Sequence, residues 1–584
     1  MAHLADPDHN SSFTKGVFLG EIRESLVFPF PGFSSAEKES LNAILDSLRS
    51  WAAEHVDSAR QDHDGRFPDA VRTGMAELGL MGVNIAEEYG GFGASAMLFN
   101  RVFGEVGATD PALTVYFGAH QSIGCKGISL FGTDDQKKRW LPRCASGELI
   151  AAFCLTEAGS GSDAQAMHCS AVPGADGKSY TLNGEKIWIS NAGYAGLLTV
   201  FAKVPVEIEG KPKQRVTAFI VDAHAPGVSL GKIEEKMGIK ASDTRTISFA
   251  NVPVPAEDRL GDVGQGFKIA LEILNSGRLG LAAGSARGAR KILDVALAYA
   301  KQREQFGRSI GSFEMIQRKF AVAAAECYAA DAGWMLTASM VDKEGIDYSL
   351  ETASCKVFAS ELAFRASCDA QQIAGGIGYS KEYPYEQAVR DSRINLIFEG
   401  TNEILRALIA LSGLQQPGEH LKEIGKAFKD PIRSLGAIGS YITGRVKRQL
   451  VKPEFTLVHA TLSDEAEQVA TVIHDLALGV EKALIEHGKE IIERQFHQER
   501  MANASIEIYL ATAVLSRASW AVERLGEEGA AADLDNARIF VPMAMRRARR
   551  AVRGLERNQD ARLKALAVRA LESGSLTVPP PTDS

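Results

Sequence analysis

The spacing of apolar residues changes its period twice along this chain of 584 residues. From about residue 36 to 150 apolar positions recur every three or four residues, as in LNAILDSLRSWAAEHV, which predicts helices. Residues 151–262 instead contain short β-branched and aromatic runs such as LLTVFAKV and RVTAFIVDA, which predict strands. Helical spacing returns over residues 263–412 in long Ala- and Leu-rich stretches. The sequence therefore predicts a helical domain, a sheet domain and a helix bundle.

Three further segments flank this central pattern. Residues 1–35 form an N-terminal extension, residues 413–455 are a basic linker dotted with glycine, and residues 456–584 again show helical spacing. Within the strand-rich part, Asn-Gly at 183–184 and Asp-Gly at 176–177 are typical of tight hairpin turns, which predicts a small antiparallel sheet. The predicted fold class is mainly α, with a central β-sheet domain, a helix bundle and an added C-terminal helical domain.

The charge balance argues against a nucleic-acid-binding protein. The chain carries 65 lysines and arginines against 73 acidic residues, a formal net charge of −8, whereas nucleic-acid binders present a basic surface. No apolar run approaches the roughly 18 residues of a membrane-spanning helix, and the opening residues, MAHLADPDHNSSF, lack the features of a transit or signal peptide. The seven cysteines are never spaced as CxxC, which predicts structural thiols in a reducing compartment.

The motifs disfavour metal-dependent and hydrolytic enzymes. Neither HExxH nor a Cys/His cluster at ligand spacing occurs in the sequence, so no metal site is predicted. A Rossmann GxGxxG after a strand and a Walker A loop are also missing. Residues 307–311, GRSIG, fit the GxSxG of an α/β-hydrolase, but that elbow follows a strand, whereas residues 288–306 have helical spacing.

One acidic residue stands in unusual surroundings. In INLIFEGTNEILR, residues 394–406, Glu399 follows Ile397 and Phe398 and precedes Gly400. A glutamate is rarely buried without a partner or a chemical role. These residues alone allow two interpretations: Glu399 lies on an exposed turn, or its carboxylate is held close to apolar surface for acid–base chemistry.

Two stretches of the sheet domain combine small, polar and aromatic residues. FCLTEAGSGSDAQ, residues 153–165, leads a strand into glycines and serines whose backbone N–H and hydroxyl groups suit a pyrophosphate or a polar ring edge. The same glycines and serines are also typical of a flexible surface turn, so both interpretations stay open. NGEKIWISNAG, residues 183–193, places Trp188 near Ser190 on a strand. An aromatic flanked by donors can cover a flat ring, but a strand tryptophan is also a common core residue.

Six motifs occur in a fixed order within residues 36–412. They are FCLTEAGSGSD, NGEKIWIS, KMGIKASDTRTISFANVPVP, the REQFG of residues 303–307, the QIAGGIGY of residues 372–379, and IFEGTNEILR. Their order and spacing resemble those of the acyl-CoA dehydrogenases. SFTKGVFLGEIRESLVFPFP near the N-terminus and LIEHGKEIIERQFHQERMANASIEIYLATAVLSRAS near the C-terminus resemble the larger members of that family, the very-long-chain type and its close paralogue. The resemblance thus covers nearly the whole chain.

This resemblance implies a fold, a cofactor and a reaction. The fold is a helical domain, a β-domain of sheet or barrel form and a four-helix bundle, with FAD at their junction. The reaction is the dehydrogenation of a fatty acyl-CoA thioester to a trans-2-enoyl-CoA, as in fatty acid β-oxidation. In this family the glutamate of the FEGT motif, here Glu399, removes the α-proton while the β-hydrogen leaves as hydride. An apolar setting raises the proton affinity of a carboxylate, the direction that such a base requires.

The resemblance also implies roles for individual residues. Arg278 resembles the arginine near the carbonyl end of the acyl-CoA, and the stretches 303–306 and 372–376 resemble residues that reach FAD across a subunit interface, which implies a homodimer. The implied substrate contacts are Ser162, Asn275, Arg278 and Gly400. The implied cofactor contacts are Phe153, Leu155, Thr156, Gly161, Ser162, Trp188, Ile189, Ser190, Arg303, Gln305, Phe306, Gln372, Ile373, Ala374, Gly375, Gly376, Thr401 and Glu403.

Four positions depart from the common pattern of the family. Ala158 stands where the family usually has proline, which loosens that turn but removes no side-chain donor. Some relatives carry their catalytic glutamate near residue 277, where Gly277 cannot act as a base. Gly118 and Ala119 fall where medium-chain relatives have bulkier residues, which indicates either room for a long acyl tail or ordinary helix packing.

The implied electron acceptor is an electron-transfer flavoprotein, and the likeness to the larger members favours long-chain and very-long-chain substrates. Two other functions stay open. One is a paralogue that acts mainly in the assembly of a complex, and the other is an acyl-CoA oxidase. Intact Glu399 and intact FAD motifs favour the dehydrogenase.

Residues 421–453 carry a concentrated positive charge. Eight lysines and arginines face two acidic residues there, a net charge of +6. Apolar residues step by three or four along the segment, which places them on one face of a helix. The segment predicts peripheral binding to a membrane surface, or an ordinary amphipathic helix packed on its own domain. The expected location is the cytoplasm or inner membrane of a bacterium, or the mitochondrion if the chain is a processed eukaryotic one.

Overall fold

The computed structural model describes residues 12–427 and 451–576. Its N-terminal part is helical, as the apolar spacing predicts. A π-helical turn, Ala119–Gly124, joins two of its helices and packs against the first strand of the sheet. The helices are α1 (Phe13–Leu19), α2 (Glu24–Val27), α3 (Ser35–His55), α4 (Ser58–Asp64), α5 (Asp69–Glu77), α6 (Ala96–Thr109), α7 (Pro111–Gly118), α8 (Lys126–Phe131) and α9 (Asp134–Ala145).

Helix α3 shows how the sequence sets these helices. The Ser34 hydroxyl accepts a hydrogen bond from the Glu37 N–H at 3.2 Å, and the Glu37 carboxylate accepts one from the Ser34 N–H at 3.0 Å. This reciprocal pair satisfies two donors that the helix start leaves free. Leu41, Leu45 and Leu48 follow at helical spacing and are buried. The helix therefore begins at a capping box and is stabilised by one apolar face.

A mixed sheet of eight strands follows. The strands are β1 (Ile150–Cys154), β2 (Ser170–Pro173), β3 (Ser179–Ser190), β4 (Ala195–Ile208), β5 (Lys211–Asp222), β6 (Val228–Ile233), β7 (Thr244–Pro255) and β8 (Arg259–Leu260). Neighbours run in the order β6-β7-β3-β2-β4-β5-β8, and β1 pairs with β4. Most pairs are antiparallel, as predicted, but β1–β4 and a single bridge between β2 and β4 are parallel.

The Asn-Gly pair at 183–184 lies inside β3, so the hairpin turn predicted there is wrong. The pairing of β3 with β7 shifts its register between Leu182 and Gly184, and Gly184 has a φ of 137°. A Cβ on Gly184 would lie 2.8 Å from the Cα of Cys169. A β-bulge requires the same backbone freedom as a tight turn, which is why one dipeptide serves either. The Asp-Gly pair at 176–177 does lie in the turn between β2 and β3.

The predicted helix bundle is confirmed. It consists of four long helices, and one of them, Ser349–Ala374, packs on the other three. Small side chains, mostly alanine, fill its interior and allow the helices to approach closely. The elements are α10 (Gly266–Gln302), the hairpin β9 (Glu304–Gln305) and β10 (Arg308–Ser309), α11 (Glu314–Val341), α12 (Ser349–Ala374), α13 (Gly376–Tyr379), α14 (Pro384–Arg393) and α15 (Asn402–Ala427).

Helix α15 continues past residue 412, where the linker was predicted to begin. It includes Pro417 and ends at Ala427. Residues 428–450, which hold most of the basic segment 421–453, lie outside the described residues. The predicted amphipathic character of that segment therefore stays a prediction.

The C-terminal region is helical, as its spacing predicts. The helices Gln495–Gly529 and Ala531–Gly554 pack against α11 of the bundle, and the first of these also packs against α15. Bundle and C-terminal helices share one apolar core. The C-terminal helices are α16 (Ser463–His487), α17 (Gln495–Gly529), α18 (Ala531–Gly554) and α19 (Asp560–Ser573).

Residues 12–30 lie between the bundle and the C-terminal helices. The Ser12 hydroxyl donates to Glu351 Oε1 of α12 at 2.8 Å, and the Ser516 hydroxyl of α17 donates to the Val27 carbonyl oxygen at 2.5 Å. Phe13 is fully buried in the shared core. Residues 12–30 are therefore an integral part of the fold rather than an appendage.

All seven cysteines are free and six of them are buried, in agreement with structural thiols. Within residues 12–427 and 451–576, no helix combines the length and apolar character needed to cross a membrane. The same two ranges contain no group of three or more His, Cys, Asp or Glu side chains placed to share a metal ion.

Candidate active site

Glu399 lies in a strained turn between the bundle helices. The backbone leaves α14 through a short 3-10 turn, Ile394–Leu396, and α15 begins at Asn402. In between, Glu399 has a φ of 59° and Gly400 a φ of 89°. This left-handed region costs free energy for a residue with a side chain, so surrounding contacts must impose it at Glu399.

Glu399 is partly buried and one of its two carboxylate oxygens is enclosed, which excludes the exposed-turn interpretation. Its Oε2 is inaccessible to solvent and has no hydrogen-bond partner among the residues that the structure describes. A Cβ built on Gly277 of α10 would lie 2.7 Å from this oxygen and 3.0 Å from Cγ2 of Ile123. Gly277 therefore leaves the space that the carboxylate occupies.

Burial raises the pKa of Glu399 to about 7. The positive charges of Arg278 and Lys356 act in the opposite direction, because each favours the ionised carboxylate. Both protonation states are therefore populated near neutral pH. A carboxyl group in this state can accept a proton at neutral pH.

Two buried cations hold the backbone of the turn. Arg278 Nε on α10 donates to the carbonyl oxygen of Glu399 at 3.2 Å. Lys356 Nζ on α12 donates to the carbonyl oxygen of Gly400 at 2.8 Å. Both side chains are buried. Two successive carbonyl groups thus each have a charged donor, and these bonds offset part of the cost of the left-handed backbone.

Sequence reasoning missed Lys356. It stands in SCKVFASELAF, residues 354–364, where its neighbours are small or apolar, and it is completely buried. A lysine is almost never buried without a partner. That mismatch between a cation and an apolar helix was the available signal, but helical periodicity alone does not show what the ammonium contacts.

Three of the four predicted substrate contacts gather around Glu399. Arg278 Nη1 donates to Asn275 Oδ1 at 3.0 Å, and Gly400 follows Glu399 directly. The fourth, Ser162, lies on the exposed turn after β1. Arg278 is therefore fixed by a neighbour on its own helix and by the turn at the same time.

Trp188 of β3 is not a core residue. Its side chain is 64% exposed, its φ is 56°, and it lies where the pairing of β3 with β7 shifts register. Ile189, next to it, is buried, whereas Ser190 is partly exposed. A large aromatic held outward by a strained backbone offers a planar surface. This arrangement fits the flat ring of a flavin.

The glycine- and serine-rich turn after β1 is open at its tip and anchored at its base. Nothing lies within 4 Å of a Cβ built on Gly159 or Gly161. At the base, the Glu157 carboxylate accepts a bond from the buried Lys186 Nζ at 2.8 Å. An open tip on a fixed base leaves backbone N–H groups available to a pyrophosphate. Before the turn, Phe153 and Thr156 are partly exposed, whereas Leu155 is buried.

The residues predicted to act across a subunit interface are at the surface of the single chain. Phe306, in the hairpin β9–β10, is 94% exposed with a φ of 55°. Arg303, Gln305 and Gln372 are also exposed. In the second stretch Gly375 and Gly376 are open to solvent, whereas Ile373 and Ala374 are buried.

The two polar residues after the turn differ in their surroundings. Thr401 Oγ1 accepts a bond from the Ile404 N–H at 3.3 Å and so caps the start of α15. Glu403 is exposed. A cofactor contact through the hydroxyl of Thr401 is compatible with this cap, because a hydroxyl can donate while it accepts.

The space beside Gly118 is filled by an aromatic ring. A Cβ on Gly118 would lie 2.9 Å from Phe103 Cε2, and one on Gly280 would lie 3.0 Å from the same atom. A Cβ on Gly284 would lie 3.2 Å from the opposite ring edge. Gly118 therefore serves helix packing, and the room for an acyl tail predicted there is occupied by Phe103.

The GxSxG match at residues 307–311 is not a nucleophile elbow. Ser309 lies in the short hairpin that follows the long helix α10, and its hydroxyl donates to the Ala300 carbonyl oxygen at 2.7 Å. A nucleophile elbow needs a long strand before the serine. The sequence-based argument against a hydrolase is thereby supported.

Four protein-family models match the chain in succession. They are described as the N-terminal, middle and C-terminal domains of acyl-CoA dehydrogenase, at residues 38–148, 152–252 and 264–414, and as the ACAD9/ACADV C-terminal domain, at residues 460–575. The chain belongs to the acyl-CoA dehydrogenase family. It is accordingly an FAD-dependent oxidoreductase.

Curated acyl-CoA dehydrogenases from animals and mycobacteria are similar in sequence. The very long-chain specific acyl-CoA dehydrogenase, mitochondrial, of Bos taurus is 41% identical over 517 residues, which is 87% of this chain and 79% of that protein. The human protein of the same name has the same identity and coverage. The probable acyl-CoA dehydrogenase FadE10 of Mycobacterium bovis is 39% identical over 68% of this chain and 62% of its own length.

Solved acyl-CoA dehydrogenases share the fold. An acyl-CoA dehydrogenase of Bacillus anthracis, complexed with FAD, has a TM-score of 0.77 and 29% identity, and the match covers 98% of this chain and 97% of that one. The butyryl-CoA dehydrogenase of Megasphaera elsdenii has a TM-score of 0.62 and 34% identity over 66% of this chain and all of its own. The added C-terminal helices thus have a counterpart in the first structure.

Proposed function

We propose that Glu399 is the base that removes the α-proton of a fatty acyl-CoA thioester during its oxidation to a trans-2-enoyl-CoA. The observation that carries this proposal is the enclosed Oε2 of Glu399, which has no hydrogen-bond partner in the described ranges. A carboxylate oxygen already engaged by a donor would be a weaker base. FAD, when bound, accepts the β-hydrogen as hydride.

The residues around Glu399 support proton removal in complementary ways. Because Oε2 is inaccessible to solvent, bulk water does not compete for this oxygen, which leaves it free to accept the α-proton. Arg278 and Lys356 fix the backbone from which the carboxylate projects. A base with a pKa close to the operating pH is available in its ionised form and still holds the proton after transfer.

Long-chain and very-long-chain acyl-CoA is the proposed substrate class, and an electron-transfer flavoprotein is the proposed acceptor. The names of the animal relatives support the chain length. A chain with 35% identity and a TM-score of 0.61 comes from a structure of the electron transferring flavoprotein of Acidaminococcus fermentans, which supports the acceptor. The animal relatives are mitochondrial and others are mycobacterial, so either predicted location stays a prediction.

A direct experiment separates the proposed dehydrogenase from the two alternatives. The purified protein should be yellow and should bleach anaerobically when palmitoyl-CoA is added, and a series from butyryl-CoA to tetracosanoyl-CoA gives the preferred chain length. Bleaching with oxygen uptake in air but no added acceptor would identify an oxidase. A yellow protein that no acyl-CoA bleaches would favour the assembly role.

We expect Arg303→Ala to weaken both FAD retention and dimer formation. Arg303 is exposed on the single chain, beside a hairpin that presents the exposed ring of Phe306. A guanidinium in such a place offers fixed donors to a phosphate or ribose of a cofactor held by a second subunit. The measurement is the flavin-to-protein absorbance ratio together with the mass in solution by light scattering.

Arg562→Ala is the matched control, because Arg562 is an exposed arginine of α19, outside the six motifs. Full flavin content and an unchanged mass are expected for it. If Arg303→Ala also retains full flavin and the same mass, Arg303 is a solvated surface residue and the interface role is wrong.

Peripheral membrane binding through residues 421–453 is a further part of the proposal. Its support is the net charge of +6 and the apolar stripe in the sequence. At an anionic bilayer, buried apolar side chains and roughly 1 kcal/mol for each nearby Lys or Arg favour binding. We expect co-sedimentation with anionic vesicles at low salt, weakened at high salt.

Neutralising the segment tests this prediction. Vesicle binding should be lost when five of its cations are replaced by glutamine, namely Lys429, Arg433, Arg445, Lys447 and Arg448. The control variant replaces four exposed arginines in the same way, namely Arg546, Arg550 and Arg553 of α18 and Arg557 just after it. If the control variant alone loses vesicle binding, the membrane-binding surface lies at α18 and not in residues 421–453.

A further inference from the structure

The ammonium of Lys356 is held by more than its bond to the Glu399 turn. Besides the Gly400 carbonyl, Nζ donates to Asn402 Oδ1 at 2.8 Å. The amide of Asn402 is itself oriented, since its Nδ2 donates to Ser360 Oγ and to Glu361 Oε1, each at 3.1 Å. Lys356 thus connects α12, the strained turn and the first residue of α15.

The chain retains this lysine at a cost. Removing an ammonium from water costs free energy unless nearby groups compensate it. A neutral side chain of similar length would pack among the apolar neighbours of Lys356 without that cost. The compensation comes from the two oxygen acceptors and from negative charge close by, so the ammonium has a use that packing does not explain.

We propose that Lys356 is a positioning residue for the reaction, which holds the Glu399–Gly400 turn through the Gly400 carbonyl and favours the ionised form of Glu399 through its charge. This inference rests on the proposed role of Glu399 as the base. Lys356 itself contacts neither of the carboxylate oxygens in a hydrogen bond. Its effect on the reaction passes through Glu399.

The charges that face this pair determine the sign of the effect. Glu399 faces Arg278 and Lys356, while Lys356 faces Glu399, Arg278, Glu361 and Glu403. Burial lowers the pKa of Lys356 to about 7, and Glu399 opposes that shift. The two groups therefore titrate together, and each stabilises the charged form of the other. Without the ammonium, burial acts on Glu399 with only Arg278 to oppose it, so the pKa of Glu399 rises.

The test is the pH dependence of flavin bleaching in single-turnover mixing with palmitoyl-CoA. In the wild type the rate should rise with pH through about 7, as Glu399 loses its proton. In Lys356→Met the midpoint should move up by about one pH unit, the lower end of the effect of a nearby opposite charge. The rate at a pH below both midpoints should therefore fall about tenfold.

A second variant separates the charge from the hydrogen bond. Lys356→Gln keeps an N–H donor for the turn but has no charge, so its midpoint should shift as in Lys356→Met while its rate at high pH stays closer to wild type. If Lys356→Met yields no flavoprotein, Lys356→Gln alone provides the measurement of the midpoint. A purely structural role would lower the rate equally at every pH and leave the midpoint unchanged.

Lys126→Met is the control for the loss of a partly buried lysine outside the active site. Lys126 is the first residue of α8, and its Nζ donates to Asn84 Oδ1 at 3.3 Å. Burial lowers the pKa of Lys126. It should lower thermal stability without moving the midpoint. Difference infrared spectra of the carboxyl stretch, assigned by its absence in Glu399→Gln, report the same titration without substrate.

The outcomes distinguish this inference from the proposed function. If wild-type protein does not bleach with any acyl-CoA, the proposed function fails. If wild type bleaches and both Lys356 variants keep the wild-type midpoint in the kinetic and infrared titrations, the base assignment stands and the role of Lys356 is overturned. A midpoint that moves down would overturn it as well.

Discussion

Glu399→Gln is expected to yield a folded, yellow protein that binds acyl-CoA but does not bleach at a useful rate. Glutamine has the shape of glutamate, but its amide cannot accept the α-proton. The rate of flavin reduction should fall by at least the roughly 10²–10⁴-fold expected of a lost general base. Because burial disfavours the carboxylate, the neutral amide should leave thermal stability at pH 8 equal to wild type or higher.

Stopped-flow absorbance of the flavin is the measurement, with acyl-CoA binding followed separately by calorimetry. Glu351→Gln is the matched control, because Glu351 is a second buried glutamate of the bundle with a raised pKa, but its Oε1 accepts bonds from Ser12 and Thr14. That change should alter stability and leave the reduction rate unchanged. Bleaching of Glu399→Gln at the wild-type rate would remove Glu399 from the mechanism.

Gly277→Ala should reduce the rate of flavin reduction by about 100-fold, the order of magnitude that a displacement of roughly 1 Å costs in a catalytic group. The added methyl carbon would lie 2.7 Å from Glu399 Oε2, closer than non-bonded contact allows, with Ile123 behind it. The carboxylate must therefore move. FAD content should be unchanged, because the change lies beside the carboxylate and not among the residues proposed to contact the cofactor.

Gly288→Ala is the control on the same helix, since nothing lies within 4 Å of a Cβ built there. Alanine in an open helical position stabilises by up to about 1 kcal/mol relative to glycine. Gly288→Ala should therefore raise the melting temperature and keep full activity. A Gly277→Ala protein with full activity would mean that the carboxylate moves freely, and that its position does not limit the rate.

The order of the domains could be predicted from the sequence because the period of the apolar residues is set by local geometry. Helices and strands repeat at different spacings, so the change of spacing near residue 150 marks a change of structure. The Asn-Gly pair at 183–184 was misassigned for the same reason. Its local preference for positive φ is satisfied equally by a turn and by a bulge, and only pairing with β7 decides between them.

The candidate site could be predicted only in part, since it is built from contacts between distant segments. The FEGT motif pointed to Glu399, but its enclosure depends on Gly277, 122 positions earlier in the chain. Lys356 reaches the same turn from α12, and no local pattern predicts that contact. Trp188 shows the reverse case, because its residue type favours the core and a strained backbone places it outside.

The burial of residues 12–30 against the C-terminal helices has a consequence for biosynthesis. At about 5–20 residues per second, the 489 residues that separate Val27 from its partner Ser516 take roughly 25–100 s to translate. During that time Phe13, Val17 and Phe18 have no C-terminal helices to cover them. This apolar segment therefore leaves the ribosome well before the helices that bury it, and a nascent chain of this protein presents a prolonged binding site for chaperones.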